Sequence, residues 1–404
     1  MTSSRRPNSL AAFAVTAPGL ETLCAAELAS LGIAGRAEQG GVEWTGTLES
    51  VARANLWLRT ASRVIVRVAE FRATAFFELE QHARQIPWQS FVSPGSAVGF
   101  RVTCRKSKLY HSDAVGERFA EAVQRRVAGV QVGKTTSAAD EDEPHAAMDH
   151  QQFVVRFLHD ACTVSADSSG ALLHLRGYRQ QLAKAPLRET LAASVLLASG
   201  WKGDVPFIDP MCGSGTIAIE AALIARRMAP GRNRTFAFLR WPSALSAQWP
   251  ALLSEARAGE LPLAPVTITG SDRDEGAVAA ARANAARAGV GGDAEFVVQP
   301  ISALPSAEPP GLIAANPPYG IRIGETTALR NLYAQLGNIA RRRRAGWDLA
   351  LLSADRSLEH QARLPFIERL RTRNGGIPVR LVVARVPGTA SRGEQQPAIA
   401  LSGE

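Results

Sequence analysis

Residues 207–216 read FIDPMCGSGT, from Phe207 to Thr216. An apolar strand ends in Asp209, and a Gly-x-Gly turn, Gly213-Ser214-Gly215, opens an apolar segment of helical length running to Met228. Glycines let a backbone approach a ligand closely, and a helix N-terminus offers free N–H groups. An acid at the strand end suits a cationic or hydroxyl-bearing ligand. A tight strand-to-helix turn without a ligand needs the same residues, so the motif alone leaves both readings open. No Gly-Lys-Ser/Thr follows, which excludes a Walker loop, and Ile217-Ala218 exclude a GxGxxG fingerprint.

The surroundings of this motif decide the fold class. Upstream, LRETLAASVLLASGW reads as a helix. Downstream come strand PVTITGSD, helix EGAVAAARANAARAG, strand AEFVVQ, strand LIAAN, helix TALRNLYAQLGNIARRRR and strand WDLALLSAD. A hairpin with RTRNGG at its turn closes the series. Strands alternating with helices predict an α/β fold with a parallel sheet covered on both faces.

Asp272 ends the second strand, with Arg273 beside it. In nucleotide-binding sheets an acid at this position accepts hydrogen bonds from ribose hydroxyls. Helix capping is the other role open to Asp272, although Asp274 is better placed as the N-cap.

Leu312–Tyr319 reads LIAANPPY: a strand, an Asn, two prolines and an aromatic. An exocyclic base amine is a poor nucleophile because its lone pair is delocalised into the ring. A carboxamide oxygen and a backbone carbonyl that accept its N–H bonds localise that pair. Prolines stiffen the backbone supplying the carbonyl, and an aromatic ring can stack on an unpaired base. Asn316, Pro317, Pro318 and Tyr319 are therefore the candidate catalytic residues.

The N-terminal side alternates short elements. AAFAVTA, GGVEWTG and RVIVRVAEF read as strands. LETLCAAELASLG, stopped by Gly32, and LESVARANLWLRTA read as helices. AVGFRVTCRKSKLYHS is a strand running into a basic segment, and DAVGERFAEAVQRRV is a helix with Asp113 as its expected N-cap. FVVRFLHDACTVSAD and GALLHLRGY follow as two expected strands. The segment Thr135–His150, with five acidic residues and no basic one, reads as a solvated loop, and the tail after Pro387 as frayed.

The 404 residues suit two or three domains, and 46% hydrophobic content allows a sizeable core. The formal charge of +9 fits a nucleic-acid partner and equally an Arg-rich composition. Residues 1–135 hold 17 Lys/Arg against 11 Asp/Glu. Within them, Arg105, Lys106 and Lys108 with Tyr110 give the mixture of cations and aromatic surface that RNA contacts use. Arg341–Arg344 end a helix, where cations complement the helix dipole. Arg226, Arg227, Arg232, Arg234 and Arg240, with Trp241 and Trp249, lie in a long insert that either walls a substrate cleft or is a surface excursion. Cys24, Cys104, Cys162 and Cys212 form no CxxC pair and read as small buried hydrophobes in a reducing compartment. No metal site, signal segment or membrane span is expected, and the chain reads as cytoplasmic.

FIDPMCGSGTIAIEAALIA together with ANPPYGIRIG resembles the THUMP-containing guanine-N2 methyltransferases of 23S ribosomal RNA, a group also labelled N6-adenine-specific DNA methylases. APGLETLCAAELASLG, VEWTGTLESVARANLWLRTASRV and APLRETLAASVLLASGW are similar to the corresponding family segments, so the resemblance covers residues 10–387. It implies a ferredoxin-like domain over 1–65, a THUMP RNA-binding domain over 66–180 and a class I Rossmann-like methyltransferase domain over 181–390. A flexible tail over 391–404 completes the chain. The last domain would be a seven-stranded, mostly parallel sheet with a closing antiparallel hairpin. The cofactor implied is S-adenosyl-L-methionine, held by Asp209, Pro210, Cys212, Gly213, Gly215, Thr216, Asp272, Arg273 and Asn316. The partner implied is RNA, with no metal and no membrane. Where the family has an acid after the strand AEFVVQ, this chain has Pro300-Ile301-Ser302. Adenine-N6 methylation of DNA or RNA, glutamine methylation, and RNA binding without catalysis stand as alternatives.

Overall fold

The computed structural model describes residues 9–133, 135, 150–180, 187–242, 248–305, 309–318 and 326–387. Its first part contains β1 (Leu10–Thr16), α1 (Glu21–Ser30), β2 (Arg36–Glu38), β3 (Gly41–Gly46), α2 (Leu48–Trp57), β4 (Ala61–Arg72) and α3 (Phe76–Gln85). It continues with β5 (Ala97–Arg105), α4 (Ser112–Arg126), β6 (Gln131–Val132), β7 (His150–Leu158) and β8 (Ala161–Asp167). These strands form one eight-stranded sheet in the order β2-β3-β1-β4-β8-β7-β5-β6. The expected boundary at residue 65 falls inside β4, which pairs with β1 on one side and β8 on the other. Trp88 anchors the core beneath, edge-on to Phe153 with ring centroids 5.0 Å apart.

Three expectations need correction. FVVRFLHDACTVSAD is two strands, because β7 and β8 are joined at His159-Asp160, both with positive φ. Two consecutive left-handed residues make the tight turn that hairpins favour. Here Asp160 is held by Lys108 N donating to its Oδ1 at 2.7 Å, across 52 residues of chain. GALLHLRGY is irregular, not a strand. The Arg234 guanidinium donates to the carbonyls of Ala171, Leu172 and Leu175 and so replaces a strand partner. The N-cap of α4 is His111, and Asp113 lies in the first turn without a capping bond.

The second part contains α5 (Glu189–Ala198), β9 (Phe207–Asp209), α6 (Thr216–Ala225), α7 (Trp249–Ala258), β10 (Ile268–Asp272), α8 (Glu275–Ala288) and β11 (Ala294–Val298). Then come β12 (Leu312–Ala315), α9 (Thr326–Arg343), β13 (Asp348–Ser353), α10 (Arg356–Gln361), β14 (Ile367–Asn374) and β15 (Ile377–Arg385). The sheet order is β11-β10-β9-β12-β13-β15-β14, parallel from β11 to β13, with β15 antiparallel to both β13 and β14. Gly375 and Gly376, both at positive φ, make the two-residue turn of the closing hairpin. This is the expected seven-stranded α/β sheet.

The insert after α6 joins the two parts. Phe236, Phe238, Trp241, Trp249 and Leu252 are buried in the core of the first sheet. Arg226 and Arg232 meanwhile bond Leu261 O and Ala288 O in the second part. The insert therefore fastens the two parts together, and its two tryptophans are core residues. Helices α3, α7 and α10 were not legible in the sequence.

Candidate active site

Strand order reverses at β9: the chain moves to β10 on one side and later to β12 on the other. Open α/β sheets bind ligands at such a switch point, outside the carboxyl ends of the strands. Asp209, Asp272 and Asn316 stand at or just past the ends of β9, β10 and β12, three adjacent strands. The sequence-predicted residues are thus brought to one edge of one sheet.

The loop after β9 is shaped by hydrogen bonds within it and to β10. Asp209 Oδ1 accepts Met211 N at 3.1 Å, Cys212 N donates to Ser271 O at 2.9 Å, and Gly215 N donates to Cys212 O at 2.8 Å. Gly213 and Gly215 both have positive φ, where a side chain would be strained. The space a Cβ on Gly213 would enter is open, as a cradle for a ligand requires. Gly215 has a different reason: a Cβ there would lie 2.9 Å from Ala281 Cβ on α8. Pro210 and Cys212 are buried, and Thr216 is the first residue of α6. Cys212 therefore packs as a small apolar group, its thiol pushed well above the usual range by burial and then by Asp209 and Asp272.

Asp209 is 1% exposed. Burial pushes its carboxyl up to about 8, aided by the nearby negative charge of Asp272 and opposed by the Met211 bond. A buried acid in that condition is suited to a positively charged partner. Asp272 is half-buried and accepts Gly213 N at 3.0 Å and Asp274 N at 3.1 Å. Asp274 caps α8 by accepting Ala277 N at 3.0 Å, which relieves Asp272 of the capping role. Arg273 is exposed.

Asn316 follows β12. Its Oδ1 is buried and has no hydrogen-bond partner among the described residues. Buried acceptors are nearly always paired, so an orphan at the mouth of a ligand site marks a place where a donor belongs. Pro317 is buried and Pro318 exposed, while Tyr319 lies outside the described residues. Pro300-Ile301-Ser302 lead into a short 3-10 turn, Ile301–Ala303, beyond β11.

The basic segment lies at an end of the first sheet. Arg105, Lys106, Lys108 and Tyr110 are exposed, Tyr110 by 67%, and Lys106 has positive φ. Arg341 and Arg343 instead bond carbonyls, Ala362 O and Ser302 O, consistent with a structural role. Sequence reading missed Asn284, Arg287 and Glu220. Each sits inside an alanine-rich helix, where a single polar residue gives no motif. Among the described residues no cluster of metal-ligating side chains occurs, and no helix is long and apolar enough to cross a membrane.

Comparison with known proteins agrees with this fold. Residues 176–382 match the RMKL-like methyltransferase domain, and residues 11–65 match the RlmL ferredoxin-like domain. A Synechocystis protein, slr0064, provisionally named an RNA methyltransferase, is 32% identical over 380 residues, covering 92% of this chain and 95% of its own. The ribosomal RNA large subunit methyltransferase K/L of Syntrophotalea carbinolica is 37% identical over 394 residues. The match covers 92% of this chain and 53% of that longer protein. Among solved structures, SMU.472, a provisional methyltransferase complexed with S-adenosylhomocysteine, is 29% identical with a TM-score of 0.83, covering 95% of this chain and all of that one. A Listeria monocytogenes protein described by prediction as an N6-adenine-specific DNA methylase is 31% identical with a TM-score of 0.79, covering 96% and 100%. With its sheet and these relatives in agreement, the chain belongs to the RMKL-like family of S-adenosylmethionine-dependent methyltransferases.

Proposed function

We propose that this protein methylates an exocyclic base amine of RNA, and that the base is guanine, at N2, in ribosomal RNA. The observation carrying the reading is the buried Asn316 Oδ1, without a partner among the described residues, one strand away from Asp209. It is an acceptor waiting for an N–H donor. A bound base amine supplies that donor, and a backbone carbonyl of the Asn316–Pro318 segment supplies a second acceptor. Together they turn the nitrogen lone pair outward, and Pro317 and Pro318 keep the carbonyl from moving. Tyr319 is the stacking partner of the base.

S-adenosylmethionine supplies an electrophilic methyl group on a sulfonium. Asp209 and the Gly213–Gly215 cradle would take its methionine and ribose side, with Pro210, Cys212 and Thr216 shaping the loop. Asp272 takes the ribose hydroxyls, with Arg273 alongside. Catalysis would be mainly positioning: Asn316 and the prolines would hold the amine in line with the methyl, the N–C bond would form as the S–C bond breaks to leave S-adenosylhomocysteine, and the nitrogen's proton would pass to water. Arg105, Lys106 and Lys108 hold phosphates of the RNA, in a domain of THUMP type over residues 66–180. The reaction has a cytoplasmic setting.

The test is methyl transfer to ribosomal RNA and to duplex DNA by the purified protein, with mass spectrometry of the nucleosides. N2-methylguanosine in the RNA is expected. N6-methyladenine in either nucleic acid, or methylation confined to protein glutamine, would replace the reading.

A further inference from the structure

A hydrogen-bonded path, buried except at the half-buried Arg287, runs from the segment joining the two sheets to the cofactor loop. It starts at Tyr178, whose carbonyl accepts Arg287 Nε at 2.8 Å. Arg287 Nη2 donates to Asn284 Oδ1. Asn284 Nδ2 in turn donates to Ser214 O at 3.0 Å. Asn284 is wholly buried in the middle of α8, a helix otherwise rich in alanine. A carboxamide there costs stability unless both its ends are bonded, and both are.

Ser214 is where outside support is needed. It lies between Gly213 at φ +51° and Gly215 at φ +84°. Glycines restrain their own backbone least of all residues, so the loop's shape has to be imposed by neighbours. Asp272 imposes it at the Gly213 N–H, and Asn284 imposes it at the Ser214 carbonyl. The second bond fixes the plane of the Ser214–Gly215 peptide, from which α6 starts. Tyr178 also donates through its hydroxyl to Glu220 Oε1 on α6 at 3.1 Å, so α6 and α8 are tied to the same joining residue.

We infer that Asn284 is a positioning residue for cofactor binding, fixing the Ser214–Gly215 peptide so that the Gly213–Gly215 cradle stays open, and that Arg287 orients Asn284 from Tyr178. The inference rests on reading residues 207–216 as the cofactor loop. Asn284→Asp keeps the size and the acceptor for Arg287 but removes the donor to Ser214. The full-length protein is titrated calorimetrically with S-adenosylhomocysteine, and binding to ribosomal RNA and unfolding without ligand are measured in parallel. Asn284→Asp weakens S-adenosylhomocysteine by about tenfold, the cost of one buried hydrogen bond and its peptide, while RNA affinity stays within about twofold. A merely structural role would lower both affinities together with stability, and that outcome overturns the inference. So does an unchanged affinity for S-adenosylhomocysteine. Should Asn284→Asp not fold, Arg287→Met, altered at a half-buried side chain, carries the test with a smaller loss in the same direction. Asp272→Ala is the control: if it too binds like the parent, the reading of the loop has failed, not the role of Asn284 within it.

Discussion

Gly213 N–H donates to Asp272 Oδ2 at 3.0 Å, joining the loop after β9 to the end of β10 across 59 residues of chain. The same carboxylate is the proposed acceptor for the ribose hydroxyls, so on that proposal one side chain would both shape the cradle and bind within it. Asp272→Ala removes both actions and is expected to weaken S-adenosylmethionine binding by at least about tenfold. Asp272→Asn, which keeps one acceptor oxygen, falls between the two. Calorimetric titration separates the three proteins.

Asn316→Ala removes the orphan acceptor and leaves the loop after β9 untouched. Turnover is expected to fall by at least about a hundredfold, with cofactor affinity nearly unchanged. Unchanged turnover on methylatable RNA would remove Asn316 from amine binding.

Asp209 gives a proton signature. Its buried carboxyl, raised to about 8, is largely protonated at pH 7. A raised carboxyl stabilises the fold below the ordinary value, and that contribution is lost as pH rises through about 8. A cationic cofactor reverses the preference and ionises the group. Binding at pH 7 should therefore release up to about one proton, seen as a buffer-dependent heat, and Asp209→Asn should release none.

His174 reports on the segment between the sheets. Burial first, then the charges of Arg188, Arg179, Arg176 and Arg234, holds its imidazole down to about 3. A depressed group contributes stability above its ordinary value of 6.5 and loses it as pH falls towards 3. Between pH 6.5 and 5 the parent should lose up to about 2 kcal/mol relative to His174→Gln, measured by denaturant unfolding at the two pH values. Parallel curves would show that His174 does not titrate in this window.

Lys106 and Lys108 are exposed, so replacing them leaves the core intact. Changing both to Ala should weaken RNA binding regardless of sequence. The salt dependence should fall by about one unit of slope for each phosphate no longer neutralised. Methylation of a saturating RNA should persist.

Order along the chain was enough to reveal the second sheet and most of the residues of the candidate site. Alternation of apolar strands with long amphipathic helices leaves one arrangement, and glycines, an acid and Asn-Pro-Pro at strand ends are local signals that survive without tertiary context. It also separated Asp274 the cap from Asp272 the candidate ligand, because a cap must stand next to its own helix. The remaining features come from folding. FVVRFLHDACTVSAD folds back at His159-Asp160 because Lys108 and Ser107 hold Asp160 from the loop after β5. GALLHLRGY is irregular because Arg234 takes its carbonyls. Trp241 and Trp249, candidates for a cleft wall, are core residues because the insert packs on the other sheet. Asn284 is one polar residue in an alanine-rich helix, and its meaning is its distance to Ser214. Periodicity and strand-end chemistry are properties of neighbours in sequence, whereas partners such as Lys108 and Asp160, or Ser214 and Asn284, meet only after the chain has folded.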